Sequence, residues 1–108
     1  MKLTKLGEFE ELVLLTVGAL NEDAYGISIK DYLKEKTKRS PSIGALHSAL
    51  VRLEKKGYIK SKVEEATPER RGRRKRYFIL TASGKSALVQ IYELRTSLLE
   101  SIPSIQLS

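Results

Sequence analysis

Residues 42–80 read SIGALHSALVRLEKKGYIKSKVEEATPERRGRRKRYFIL, and the fold turns on how this stretch divides. In its first part Leu46, Leu50 and Leu53 share one face at helical spacing, with Gly44, Ser48, Arg52 and Lys55 opposite, which predicts a short amphipathic helix. Ser42 can cap that helix, and Gly57 after Lys55 and Lys56 can end it. Ile59, Ser61 and Val63 then alternate with Lys60, Lys62 and Glu64, the pattern of a half-buried strand. Tyr77 to Leu80 read as a second strand, and Pro68 and Gly72 between them predict a hairpin with a long tip. Residues 68–77 hold six cations against one acid, a net +5 within a chain whose total is +7. Positive charge is therefore aimed at one place. A rod that fits a groove, beside a cationic finger, is the outline of a nucleic-acid-binding protein.

Upstream, residues Gly7 to Leu20 place Phe9, Leu12, Val13, Thr16, Val17 and Leu20 along one helical stripe, with Leu15 and Ala19 on a second strip beside it. Asn21-Glu22-Asp23 breaks that pattern, and Asp23 is read as the cap of a second helix beginning at Ala24. Pro41 forbids that helix from running on, so two helices joined by a polar turn precede the hairpin. Downstream, Thr81 can cap a last helix from Ala82 to about Ile102, where Pro103 follows. Leu88, Ile91, Tyr92, Leu98, Leu99 and Ile102 stripe it close to a heptad seam, with Leu94 alongside and Arg95 interrupting. At ~1.5 Å per residue it is roughly 30 Å long, more than a small domain needs to close its core. The expected solution is a twofold homodimer, with Leu15, Ala19, Leu88, Ile91, Leu94, Leu98 and Ile102 at the interface.

The expected fold class is mainly α with a small β-hairpin: a winged helix-turn-helix over 1–80, a dimerisation helix over 81–102 and a frayed tail over 103–108. A pI near 9.7 points to polyanionic partners, either nucleic acid or an anionic membrane surface. With no cysteine and one histidine, neither a disulfide framework nor a Cys- or His-rich metal centre can form within one chain, so no metal or cofactor is expected. Glu8, Glu10 and Glu11 interrupt the N-terminal apolar run and argue against a signal peptide, and no run reaches membrane-spanning length. The expectation is a soluble cytoplasmic protein with no membrane partner. No Gly-rich phosphate loop, ligand spacing or nucleophile–base pair accompanies His47, so no catalytic residue is assigned and an enzyme is the least favoured class.

Several short blocks carry a resemblance. Ala24-Tyr25-Gly26-Ile27-Ser28-Ile29, then Gly44-Ala45-Leu46, Ala49-Leu50, Arg52-Leu53-Glu54 and Gly57, then Gly72-Arg73-Arg74 and Leu80-Thr81 with Gly84, resemble the PadR-like transcriptional regulators over essentially the whole chain. The resemblance implies a bacterial-type winged-helix repressor, dimeric through its first and last helices, of the short form with one C-terminal helix. It also implies a small aromatic effector near the dimer interface, for which Tyr92 and Arg95 are the candidates. Two positions depart from the family pattern: His47 and Phe78 stand where the family has tyrosine.

On this reading the third helix offers Ser42, Gly44, Ala45, His47, Ser48 and Arg52 to double-stranded DNA. Ser can donate or accept, Ala can touch a thymine methyl, and Arg52 can pair with guanine or equally bind phosphate or pair with a surface acid. In the wing, Arg70, Arg71, Arg73, Arg74 and Lys75 are placed to straddle phosphates or enter a minor groove. Two such units related by a twofold predict an inverted-repeat operator. A winged-helix RNA-binding protein or a protein-interaction module is the alternative.

Overall fold

The computed structural model describes residues 6–65 and 75–105. Helix α1 (Glu8–Leu20) leads through a single 3-10 turn (Asn21–Asp23) to α2 (Gly26–Thr37) and α3 (Ile43–Lys55), followed by strands β1 (Ile59–Glu64) and β2 (Lys75–Leu80) and by α4 (Ala82–Glu100). The strands pair antiparallel from Ile59 opposite Leu80 to Glu64 opposite Lys75. This is a winged helix: a three-helix unit with a hairpin on its flank.

The core lies where α1, α2 and α3 meet the base of the hairpin. Val13, Leu14, Val17, Ile29, Leu33, Leu46, Leu50, Leu53, Ile59 and Phe78 are all buried there. Two caps foreseen from sequence are made: Ser42 Oγ accepts from the Ala45 amide at 3.0 Å, and Thr81 Oγ1 accepts from the Gly84 amide at 3.0 Å. Such caps satisfy backbone donors that the first helical turn leaves open.

The start of α2 differs from the sequence reading. Asp23 does not cap a helix at Ala24; α2 begins at Gly26, and Ala24 and Tyr25 are extended. The reason lies in the hairpin. Phe78 N–H needs an acceptor and takes the Ala24 carbonyl at 2.8 Å, and Tyr25 bridges antiparallel to Tyr77. The segment thereby serves as a short third rung beside β2. Ser28 supplies the helix start instead, its Oγ accepting from the Tyr25 amide at 2.9 Å.

Two glycines are required by geometry. Gly57 ends α3 at φ +80°, in the left-handed region that side chains disfavour. At Gly84 a Cβ would lie 2.2 Å from the Tyr58 carbonyl oxygen. The absence of a side chain lets α4 sit directly on the turn between α3 and β1. Thr81 secures the same junction, its N–H donating to the Tyr58 carbonyl at 3.0 Å and its hydroxyl to the Gly57 carbonyl at 2.7 Å. Helix α4 is therefore pinned at its first turns, where Gly84 and Ala87 are buried, and beyond them it is largely exposed. It ends at Glu100, two residues short of the expected Ile102, and Ser101 caps it.

Candidate nucleic-acid interface

The helix-turn-helix presents α3 with its leucine face inward and the opposite face to solvent. Ser42, Gly44, Ala45, His47 and Ser48 are all exposed on its first turns, as a groove-reading helix requires. The hairpin stands beside it, and a polar relay fixes the angle between them. Ser61 Oγ donates to Glu54 on α3 at 2.8 Å and accepts from Arg76 Nη1 at 3.3 Å, so both strands are tied to the helix. Arg70, Arg71, Arg73 and Arg74 lie outside the described residues. Lys75 is the first residue of β2, and its ammonium sits 4.1 Å from the centre of the Tyr25 ring. Tyr25 in turn meets Tyr77 edge-to-face at 5.7 Å.

Arg52 pairs with an acid of its own chain, one of the roles open to it from the sequence: its Nε donates to Glu10 on α1 at 2.5 Å. Lys56 Nζ donates to the other oxygen of the same carboxylate at 2.8 Å. Glu10 is buried, and burial alone would raise its pKa. Hydrogen bonds from Lys56, Arg52 and the Gly7 amide outweigh that effect and hold it at about 2, against an ordinary 4.5. Arg52 is thereby a positioning residue: with Lys56 it clamps the C-terminal half of α3 to α1.

The neighbouring acids do the same for other elements. Glu8 pairs with Arg39, in the turn before α3, at 2.7 Å, and Glu11 pairs with Arg95 on α4 at 2.8 Å. The first two turns of α1 thus reach the α2–α3 turn, α3 and α4 through three carboxylates. The sequence reading used these acids only to reject a signal peptide. Their partners lie 31 to 84 residues away along the chain, so no local pattern marks them. Arg76 is counted in the cationic run but not assigned to the site; it shares a strand face with the buried Phe78 two residues on, so alternation alone does not announce its exposure.

Three of the residues assigned to a dimer interface, Leu15, Leu88 and Ile91, meet the effector candidates Tyr92 and Arg95 along one groove. Glu11 and Leu15 of α1 and Leu88, Ile91, Tyr92 and Arg95 of α4 line a cavity of about 210 Å³. Leu15, Leu94, Leu98 and Ile102 are between 42% and 61% exposed, and Ala19 is exposed as well. Leu88 is partly used by its own chain, half-buried against the core. Arg95 carries its ion pair with Glu11 on the groove wall. Among the described residues there is no cluster of three or more potential metal ligands. No helix among them is long and apolar enough to cross a membrane.

An exposed helix-turn-helix face braced against a basic hairpin defines a winged-helix protein of the DNA-binding kind. The sequence profile of the transcriptional regulator PadR-like family matches residues 13–90, and the chain belongs to that family. No curated protein matches it. Among solved structures, a PadR-like transcription factor from Bacteroides fragilis is 26% identical, with a TM-score of 0.73 over 86% of this chain and 84% of that one. A PadR family transcription regulator from Clostridium difficile is 25% identical, with a TM-score of 0.68 over 87% of this chain and 96% of that one. A complex of the H. salinarum protein RosR is 26% identical, with a TM-score of 0.72 over 90% of this chain and 79% of that one. The protein is a DNA-binding transcription regulator of the winged-helix type.

Proposed function

We propose that the protein is a dimeric repressor that reads an inverted-repeat operator, with α3 in the major groove and the arginine-rich wing on phosphates or in the adjacent minor groove. The observation that carries this reading is the exposed first half of α3, from Ser42 to Ser48, held at a fixed angle to the hairpin by the Glu54–Ser61–Arg76 relay. Ser42, Gly44, Ala45, His47 and Ser48 face the DNA on this account, and Arg52, tied to Glu10, stands one turn farther with half of its side chain exposed. Residues 1–80 form the reading unit and 81–102 the dimerisation helix. Support for the dimer comes from the stripe that α4 leaves uncovered. Tyr92 is 70% and Leu98 61% exposed, an arrangement that a second copy of the same helix would bury.

The groove between α1 and α4 is the proposed effector site, for a small phenolic or other aromatic anion that would take Arg95 from Glu11. At about 210 Å³ it is smaller than a typical ligand pocket of ~300–1,000 Å³, so a partner subunit would complete it. Tyr58 and Tyr77 are half-buried, which leaves little stacking surface for single-stranded RNA and favours a duplex target.

The test is salt. A dimer that neutralises about 6–10 phosphates should lose roughly 10³–10⁵ in duplex affinity between about 50 and 200 mM salt. Affinity that does not change over that range would overturn the role given to the wing.

A further inference from the structure

A second cavity, larger than the α1–α4 groove, opens between the N-terminus of α2, helix α3 and strand β2. It measures about 390 Å³, within the ~300–1,000 Å³ range of small-molecule sites. Its walls are mainly apolar and, where exposed at the mouth, aliphatic. Ile27 and Ile43, on the first turns of α2 and α3, are 66% and 59% exposed, and Leu46, Leu50 and Phe78 lie behind them. Its rim is cationic, with Lys75 and Arg76 on β2, and His47 joins it from α3.

A phosphate backbone gains nothing from two exposed isoleucines, and a thymine methyl would meet only the one on α3, so DNA binding leaves Ile27 and the cavity behind it unaccounted for. Phe78 is buried and the Tyr25 ring has the Lys75 ammonium over one face, so the freely exposed apolar surface is the two isoleucines, which suits an aliphatic ligand better than a flat aromatic one. We infer that this cavity binds an aliphatic chain with an anionic head, the tail against Ile27 and Ile43 and the head at Lys75 and Arg76. An occupant there would cover His47 and Lys75. Its competition with DNA rests on the function proposed above, whereas its binding to the protein does not.

The two parts are therefore tested separately. Decanoate below its micellar concentration is titrated into the DNA-free protein, followed by calorimetry and by amide shifts in a nitrogen–proton correlation spectrum. The expected result is saturable binding with shifts at Ile27, Ile43 and Lys75, and at least about tenfold weaker binding of decanol. Ile27→Glu should weaken decanoate by about tenfold or more while circular dichroism shows an intact fold, which its exposure permits. Lys75→Gln should weaken decanoate but not decanol. No saturation up to about 1 mM, equal affinity for decanoate and decanol, or shifts confined to α1 and α4 would overturn the site. Capture on phosphatidylglycerol vesicles without binding of monomeric decanoate would assign the surface to a bilayer and overturn the soluble ligand. In a final arm decanoate is added to a protein–duplex complex. Release at the concentrations that saturate the cavity supports competition, and a ternary complex excludes it.

Discussion

In α3, Leu46, Ala49, Leu50 and Leu53 are all buried by the rest of their own chain. In α4 only Gly84 and Ala87 are, while Val89, Tyr92, Leu94, Leu98 and Leu99 stay exposed. Both helices carry an apolar stripe written at the same spacing, so the difference is one of surroundings. Helix α3 is enclosed by α1, α2 and the base of the hairpin, and its stripe is complementary to them. Helix α4 touches its own domain only at its first turns and beside α1, then runs out beyond the core. One stripe builds the core of the winged domain, and the other is left exposed, where the proposed dimer would use it. Carboxylates repeat the contrast, since Glu10 grips α3 from a buried position while the Glu11–Arg95 pair on α4 is partly open to solvent.

The largest effect should come from breaking the enclosed stripe. Leu53→Ala removes a side chain with no exposed surface and should cost about 2–5 kcal/mol in urea unfolding at any protein concentration. Leu98→Glu, by contrast, should leave the winged domain folded and raise the dimer dissociation constant by about tenfold or more in sedimentation. An equal loss of fold stability in both variants would erase the distinction between the stripes.

Gly84→Ala should come next. The added methyl meets a backbone oxygen rather than a flexible side chain, so α4 must shift, at a cost of about 1–3 kcal/mol in thermal or urea unfolding. The shift should also loosen the proposed dimer, because the same junction aims the exposed stripe.

Glu10 sharpens the account of α3. Its folded pKa of about 2 lies below the ordinary 4.5, so its contribution is fully present above about pH 4.5 and is lost as pH falls toward 2. Arg52 is 51% and Lys56 36% exposed, and solvent screening reduces the expected contribution to on the order of 1–2 kcal/mol. Urea unfolding between pH 6 and pH 3 should show that slope, and Glu10→Gln should flatten it. The smallest effect is expected for Ser42→Ala, which removes the cap of α3 for about 1 kcal/mol in the same unfolding assay.

Much of this was legible in the sequence because it is local. The caps at Ser42 and Thr81, the stop at Gly57 and the alternation through β1 each depend on residues within a turn of one another. The Asp23 cap failed for the opposite reason. Ala24 is taken by the amide of Phe78, 54 positions later, and no pattern near Asp23 announces it. The pairing of Arg52 with Glu10 was hidden for the same reason, since only the packing of α1 on α3 brings the two together. The cavity behind Ile43 was also hidden, since its walls come from three elements that meet only in the folded chain.

The central claim is that two copies of one reading unit, joined through α4, bind a single duplex. Selection of bound duplexes from a random pool, followed by sedimentation of the complex, tests it most directly. The account predicts an enriched inverted repeat, with half-sites about one helical turn or a multiple apart, and two chains on each duplex. A lone asymmetric half-site carrying one chain would contradict it.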